Sequence, residues 1–235
     1  MQHHAEDNQQ VGKTVFNRIR VWDLPTRLFH WVLVILVGTS FLTAAVGGNA
    51  MQYHERCGYA VLALLLFRLV WGFVGGHPSR FFSFMRGPAA VTKYATALLR
   101  GESKPYLGHN PLGGWSVIAM LLALFVQAGT GLFANDEIAT QGPLFGWVSN
   151  QTSSLLTGIH TFNQGVIIVL VSVHVCAILF YLFFKHENLI RPMITGVKQW
   201  AGNAAEAVAD RTWLAVVIAT LAAIAVYLLV RSGSR

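Results

Sequence analysis

The sequence predicts an all-α integral membrane protein, a bundle of four transmembrane helices with a fifth added on its C-terminal side. Three observations predict it. Of the 235 residues, 54% are hydrophobic and only 11% charged, whereas soluble domains carry about 25% charged residues. Residues 28–48, 59–76, 113–133, 158–184 and 213–230 form five apolar stretches, and about 20 such residues suffice to cross a hydrocarbon core of roughly 30 Å. The basic residues fall into alternate connections, as expected of a chain threaded back and forth through a membrane.

The polar segment 1–23 lacks the apolar core of a secretory signal, so no cleavage is expected there. Lys13, Arg18, Arg20 and Arg27 precede or open the first span. Arg80, Arg86, Lys93, Arg100 and Lys104 lie between the second and third spans, and Lys185, Arg191, Lys198 and Arg211 between the fourth and fifth. The opposite loops hold Arg56 as their one basic residue, together with Asp136 and Glu137, and Arg231 and Arg235 lie at the C-terminus. The positive-inside rule then places the N-terminus of a multi-pass protein in the cytoplasm and its C-terminus outside. This distribution accounts for the formal net charge of +7 and argues against nucleic acid as a partner.

Within the basic loop 77–111, residues 89–99 (AAVTKYATALL) read as an amphipathic helix lying along the interface. The opposite loop, residues 134–157, is rich in Asn, Gln, Ser, Thr and Gly and reads as a surface connection. The fifth span is rich in alanine and reads as a packing helix or a docking face. The expected organisation is a cytoplasmic segment 1–23, a four-helix membrane domain 24–198, and a linker with the fifth helix over 199–235. Cys57 and Cys176 lie at different depths, which opposes a disulfide; both read as small buried hydrophobes.

Ionisable residues inside a membrane are costly and point to function. His160 and His174 stand fourteen residues apart in the fourth span, a separation of nearly four turns and roughly 21 Å that leaves both rings on one helix face. His30 opens the first span and His54 the second. By depth, His54 is level with His160 and His30 with His174. Bundles build cofactor and metal sites from facing helices, and haem iron accepts imidazole axially. Zinc generally takes three or four protein ligands, whereas each level offers two, so two haems fit better. Arg27, one turn before His30, and Arg68 supply guanidinium groups suited to haem propionates. His77, His109 and His186 read as interface residues, His109 being the spare candidate ligand.

VWDLPTRLFHWVLV (residues 21–34), HERCGYAVLALLLFRLVWGFVG (residues 54–75) and the histidine pair of the fourth span resemble the prokaryotic cytochrome b561 family, which includes the b-type subunits of nickel-iron hydrogenases. The resemblance spans roughly residues 20–198. It implies a di-haem four-helix core carrying two haem b groups, with His30 and His174 on the cytoplasmic-side iron and His54 and His160 on the periplasmic-side iron. It also implies electron transfer between the quinone pool (ubiquinone or menaquinone) and a redox partner at the membrane surface.

The expected function is electron transfer between quinone and a periplasmic partner, a c-type cytochrome in the leading reading. The alternatives are a haem-bearing anchor subunit of a hydrogenase or other dehydrogenase, and a superoxide:quinone oxidoreductase. A histidine proton relay is disfavoured because the imidazoles pair by depth and form no continuous chain.

Overall fold

Capping chemistry, rather than apolarity, sets where the helices begin. In the computed structural model, which describes residues 16–137, 140–201 and 211–233, the first membrane helix α1 runs Leu24–Val46. Its N-cap is Asp23, whose Oδ1 accepts from the Thr26 amide at 2.7 Å, with Pro25 in the first turn. An Asx cap followed by proline is a strong helix start, so α1 opens four residues before its apolar run. The helix α2 follows at Met51–Val74. Two short helices, α3 (Phe81–Phe84) and α4 (Pro88–Leu99), fill the basic loop, α4 being the interfacial helix expected over residues 89–99.

Asn110 caps α5 (Pro111–Gly131) through the Gly113 amide. Ser149 caps α6 (Asn150–Phe183) through the Thr152 amide. The polar opening NQTSS of α6 thus lies on the helix and not in the surface loop expected through residue 157. The 34 residues of α6 span about 51 Å at 1.5 Å each. That exceeds the hydrocarbon thickness, so the first turns project beyond it. Short α7 (Ile190–Thr195) and the last membrane helix α8 (Thr212–Gly233) complete the helices. Five helices are long and apolar enough to span a membrane, as expected.

Helix α1 packs on α2, α2 on α5 and α8, and α5 on α6. The fifth span is a packing helix: Ala215 and Ala222 are buried against Phe29, Phe67 and Trp71, and Val226 against Leu62, Leu132 and Leu144. Small residues let membrane helices approach closely. Trp213, Val216, Leu221 and Leu228 on its other side are exposed, which suits lipid.

The basic connections gather at one end. A two-stranded antiparallel sheet joins β1 (Phe16–Arg20) to β2 (Val197–Ala201). The amides of Val21 and Trp22 donate to the Gly196 carbonyl. Gly196 has φ +80°, and a Cβ there would meet the Trp22 carbonyl oxygen at 2.8 Å, so the turn requires glycine. Lys198 bridges to Glu187 at 2.6 Å, while Trp31 Nε1 donates to the Met193 carbonyl and Arg211 to the Val74 carbonyl. The first connection, the linker and the α2 end are thereby tied into one platform.

The tightest point of that platform is Asp23, only 7% exposed. Beyond its cap bond, Oδ2 accepts from Trp71 Nε1 at 3.3 Å, the Gly76 amide at 3.2 Å and Ser79 Oγ at 3.2 Å. Buried carboxylates persist only when so compensated. Asp23→Ala should leave these donors unsatisfied and cost about 3 kcal/mol. The expected readout is a lower melting midpoint of the detergent-solubilised protein than for Asp23→Asn, which keeps one acceptor; equal midpoints for wild type and Asp23→Ala would contradict the assignment.

Candidate metal centres

The structure brings the rings of His54 and His160 together, edge to face, at the end away from the basic loops. Their ring centroids lie 6.0 Å apart with planes at 81°. A metal bound by each imidazole at about 2.0 Å separates two ring centres by roughly 6 Å. His54 Nδ1 lies 2.9 Å from the carbonyl oxygen of Ser40 on α1. His160 Nδ1 lies 2.9 Å from the carbonyl oxygen of Gln127 on α5 and 3.3 Å from Thr130 Oγ1. A carbonyl can only accept, so each Nδ1 carries the proton and each Nε2 keeps a lone pair for a metal. Helices α2 and α6 supply the rings, while α1 and α5 fix their tautomer and direction.

Two further features hold His160. A Cβ on Gly131 would stand 3.0 Å from the ring Cε1 and 3.3 Å from Nδ1, so the missing side chain makes room for the imidazole. One turn along α6, buried Asn163 donates to the Ala123 carbonyl and to Gln127 Oε1, both at 2.8 Å, pinning α6 to α5 beside the ring.

At the basic end His30 of α1 and His174 of α6 lie within electrostatic reach of each other, and each is half-buried. The Nδ1 of His30 is enclosed without a partner. Arg27 Nη1 donates to the Ile194 carbonyl at 2.5 Å while its Nε is enclosed and unpartnered. Arg68, 3% exposed, donates through Nη2 to the Ser79 carbonyl at 3.0 Å and lies over the Phe81 ring at 4.8 Å. Its Nη1 has no partner. Enclosed donors without acceptors suit a group bearing carboxylates, and haem brings two. The residues present therefore fit haem at both levels: imidazole pairs for iron, and guanidinium groups for propionates. Among the described residues no cluster of three or more His, Cys, Asp or Glu side chains converges, so the candidates for metal ligation are the two histidine pairs.

Other sequence expectations resolve differently. His77 and His186 are exposed at the edge, as expected. His109 is half-buried in the loop before α5 at the same edge, its ring contacting Trp22 and Phe84 with centroids 4.8 Å from each, contacts that only the folding of α3 and the segment before α1 over the loop provides. Cys57 is half-buried and Cys176 exposed, both free, so Cys176 faces outward from the bundle and not into it. The carbonyls of Ser40 and Gln127 escaped the sequence reading because backbone acceptors leave no side-chain signature. Gly131 carried a faint one, a glycine ending an apolar run.

A family model described as prokaryotic cytochrome b561 matches residues 21–196. The chain is 26% identical over 229 residues to a probable Ni/Fe-hydrogenase B-type cytochrome subunit of Bradyrhizobium diazoefficiens, covering 83% of this chain and 91% of that protein. It is 29% identical over 210 residues to the protein of the same description from Rhizobium leguminosarum bv. viciae, covering 76% and 87%. To that from Cupriavidus necator it is 28% identical over 211 residues, covering 76% and 86%. No solved structure matches the chain.

Gly131→Val should drive the His160 ring off the Gln127 carbonyl. Loss of such a supporting contact typically weakens metal binding 10–100-fold, so one pigment component should fall in the absorbance of the purified variant. Gly165→Val, at a position with open space around it, should leave the spectrum unchanged. Equal spectra for the two variants would contradict the role given to Gly131.

Proposed function

The chain belongs to the prokaryotic cytochrome b561 family, and from that membership we propose that it is a di-haem b-type electron carrier, with His30 and His174 ligating one iron and His54 and His160 the other. The observation that carries this reading is the facing pair His54 and His160, 6.0 Å apart with both Nδ1 atoms engaged by carbonyls. Haem b supplies one-electron chemistry, an iron alternating between ferrous and ferric states. The chain's part would be to hold each iron with two imidazoles, His30 and His174 or His54 and His160, which would suit it to electron transfer rather than to binding small substrates. Arg27 and Arg68 anchor the propionates on the basic side through donors with no protein acceptor.

The fourteen residues between His160 and His174 set the two centres roughly 21 Å apart in depth, which makes a path across most of the membrane. Residues 24–198 carry this path, and residues 199–235 supply the linker and supporting helix. The basic platform faces the cytoplasm of a bacterial inner membrane by charge asymmetry, with the C-terminus in the periplasm.

The relatives are described as hydrogenase B-type cytochrome subunits. That description favours a hydrogenase-like dehydrogenase as the redox partner, with ubiquinone or menaquinone at the other end of the path. No observation favours a periplasmic c-type cytochrome or superoxide in its place.

The purified protein should carry two haem b per chain and give a reduced-minus-oxidised spectrum with two components. His54→Ala and His174→Ala should each lose mainly one of them. A colourless protein, or one in which both substitutions remove the same component, would overturn the pairing.

A further inference from the structure

We propose that His109 is a positioning residue for the haem at the basic end, its ring N–H donating to a propionate carboxylate of the group held by His30 and His174. The inference rests on the di-haem reading above. His109 sits in the loop immediately before α5, clamped by Trp22 and Phe84 on neighbouring segments, with Nδ1 enclosed and unpartnered.

Among the described residues, five enclosed side-chain polar atoms have no hydrogen-bond partner, and four of them, Arg27 Nε, His30 Nδ1, Arg68 Nη1 and His109 Nδ1, belong to this end. The fifth, Ser40 Oγ, lies on the residue whose carbonyl holds His54. Such groups are rare, and each costs about 1–3 kcal/mol when left unmet, so the three outside the iron ligand His30, on Arg27, Arg68 and His109, mark a seat for acceptor oxygens. The buried carboxylate of this end, Asp23, is already engaged by Thr26, Trp71, Gly76 and Ser79. Propionates supply four acceptor oxygens, and the guanidinium groups of Arg27 and Arg68 take part of them.

Burial, and then the neighbouring Arg68, His174 and His30, lowers the His109 pKa to about 3. The ring is therefore neutral near pH 7 and carries one N–H. It acts as a dipolar donor and not as a third cation, so an amide can replace it. Trp22 and Phe84 pack on the ring with their planes tilted by 56° and 55°, which restrains the direction of that N–H.

The test is an optically monitored redox titration of the purified full chain with its haems. His109→Phe keeps a ring for the clamp and removes the donor; His109→Asn keeps a donor near the Nδ1 position. Both variants are expected to retain two low-spin haems. His109→Phe should shift the midpoint potential of one component downward, because a carboxylate stripped of a donor favours the ferric iron, while the other component stays put. His109→Asn should stay near wild type. Should the phenyl ring prevent folding, His109→Leu gives the same donor-free reading. Unchanged potentials in the donor-free variant would overturn the proposal, as would loss of one low-spin haem from both variants, which would make His109 an axial ligand. Fewer than two haems in the wild type would instead overturn the reading beneath it.

Discussion

Helix rise is the constraint on which the rest of this molecule depends. Because α6 is continuous from Asn150 to Phe183, His160 and His174 are obliged to share a face at fixed depths. Helices α1, α2 and α5 are each positioned to serve one or both of those levels. Helix α2 brings His54 to the upper one and Arg68 to the lower, α1 brings His30 to the lower and the Ser40 carbonyl to the upper, and α5 fixes His160 through Gln127 and Thr130.

The two levels are built by different means. Away from the basic loops, neutral carbonyls set the imidazole tautomers and the nearby polar network of Asn163 and Gln127 is internally satisfied. At the basic end, two arginines and His109 hold unpartnered donors, and Asp23 fastens the ends of α1 and α2 beneath them. A centre surrounded by donors and cations stabilises the reduced, more negative state of its group relative to one surrounded by carbonyl oxygens.

Much of this was legible in the sequence. Five apolar runs gave five helices, because lipid leaves the backbone no alternative, and the histidine spacing on α6 gave the two levels because helix geometry is invariant. The starts of α1 and α6 were misjudged by four and eight residues, since hydropathy ignores caps such as Asp23 and Ser149. The pairing of β1 with β2 joins residues about 180 apart in sequence and has no local signature. The contacts of His109 were hidden for a related reason: Trp22 and Phe84 reach its ring only through tertiary folding.

The most direct test of the central claim is electron paramagnetic resonance of the oxidised, purified chain. Two imidazole-paired irons predict two low-spin ferric signals of equal spin count, each with the signature of bis-histidine ligation. A high-spin signal as the main species, or a single low-spin centre accounting for all the iron, would contradict it.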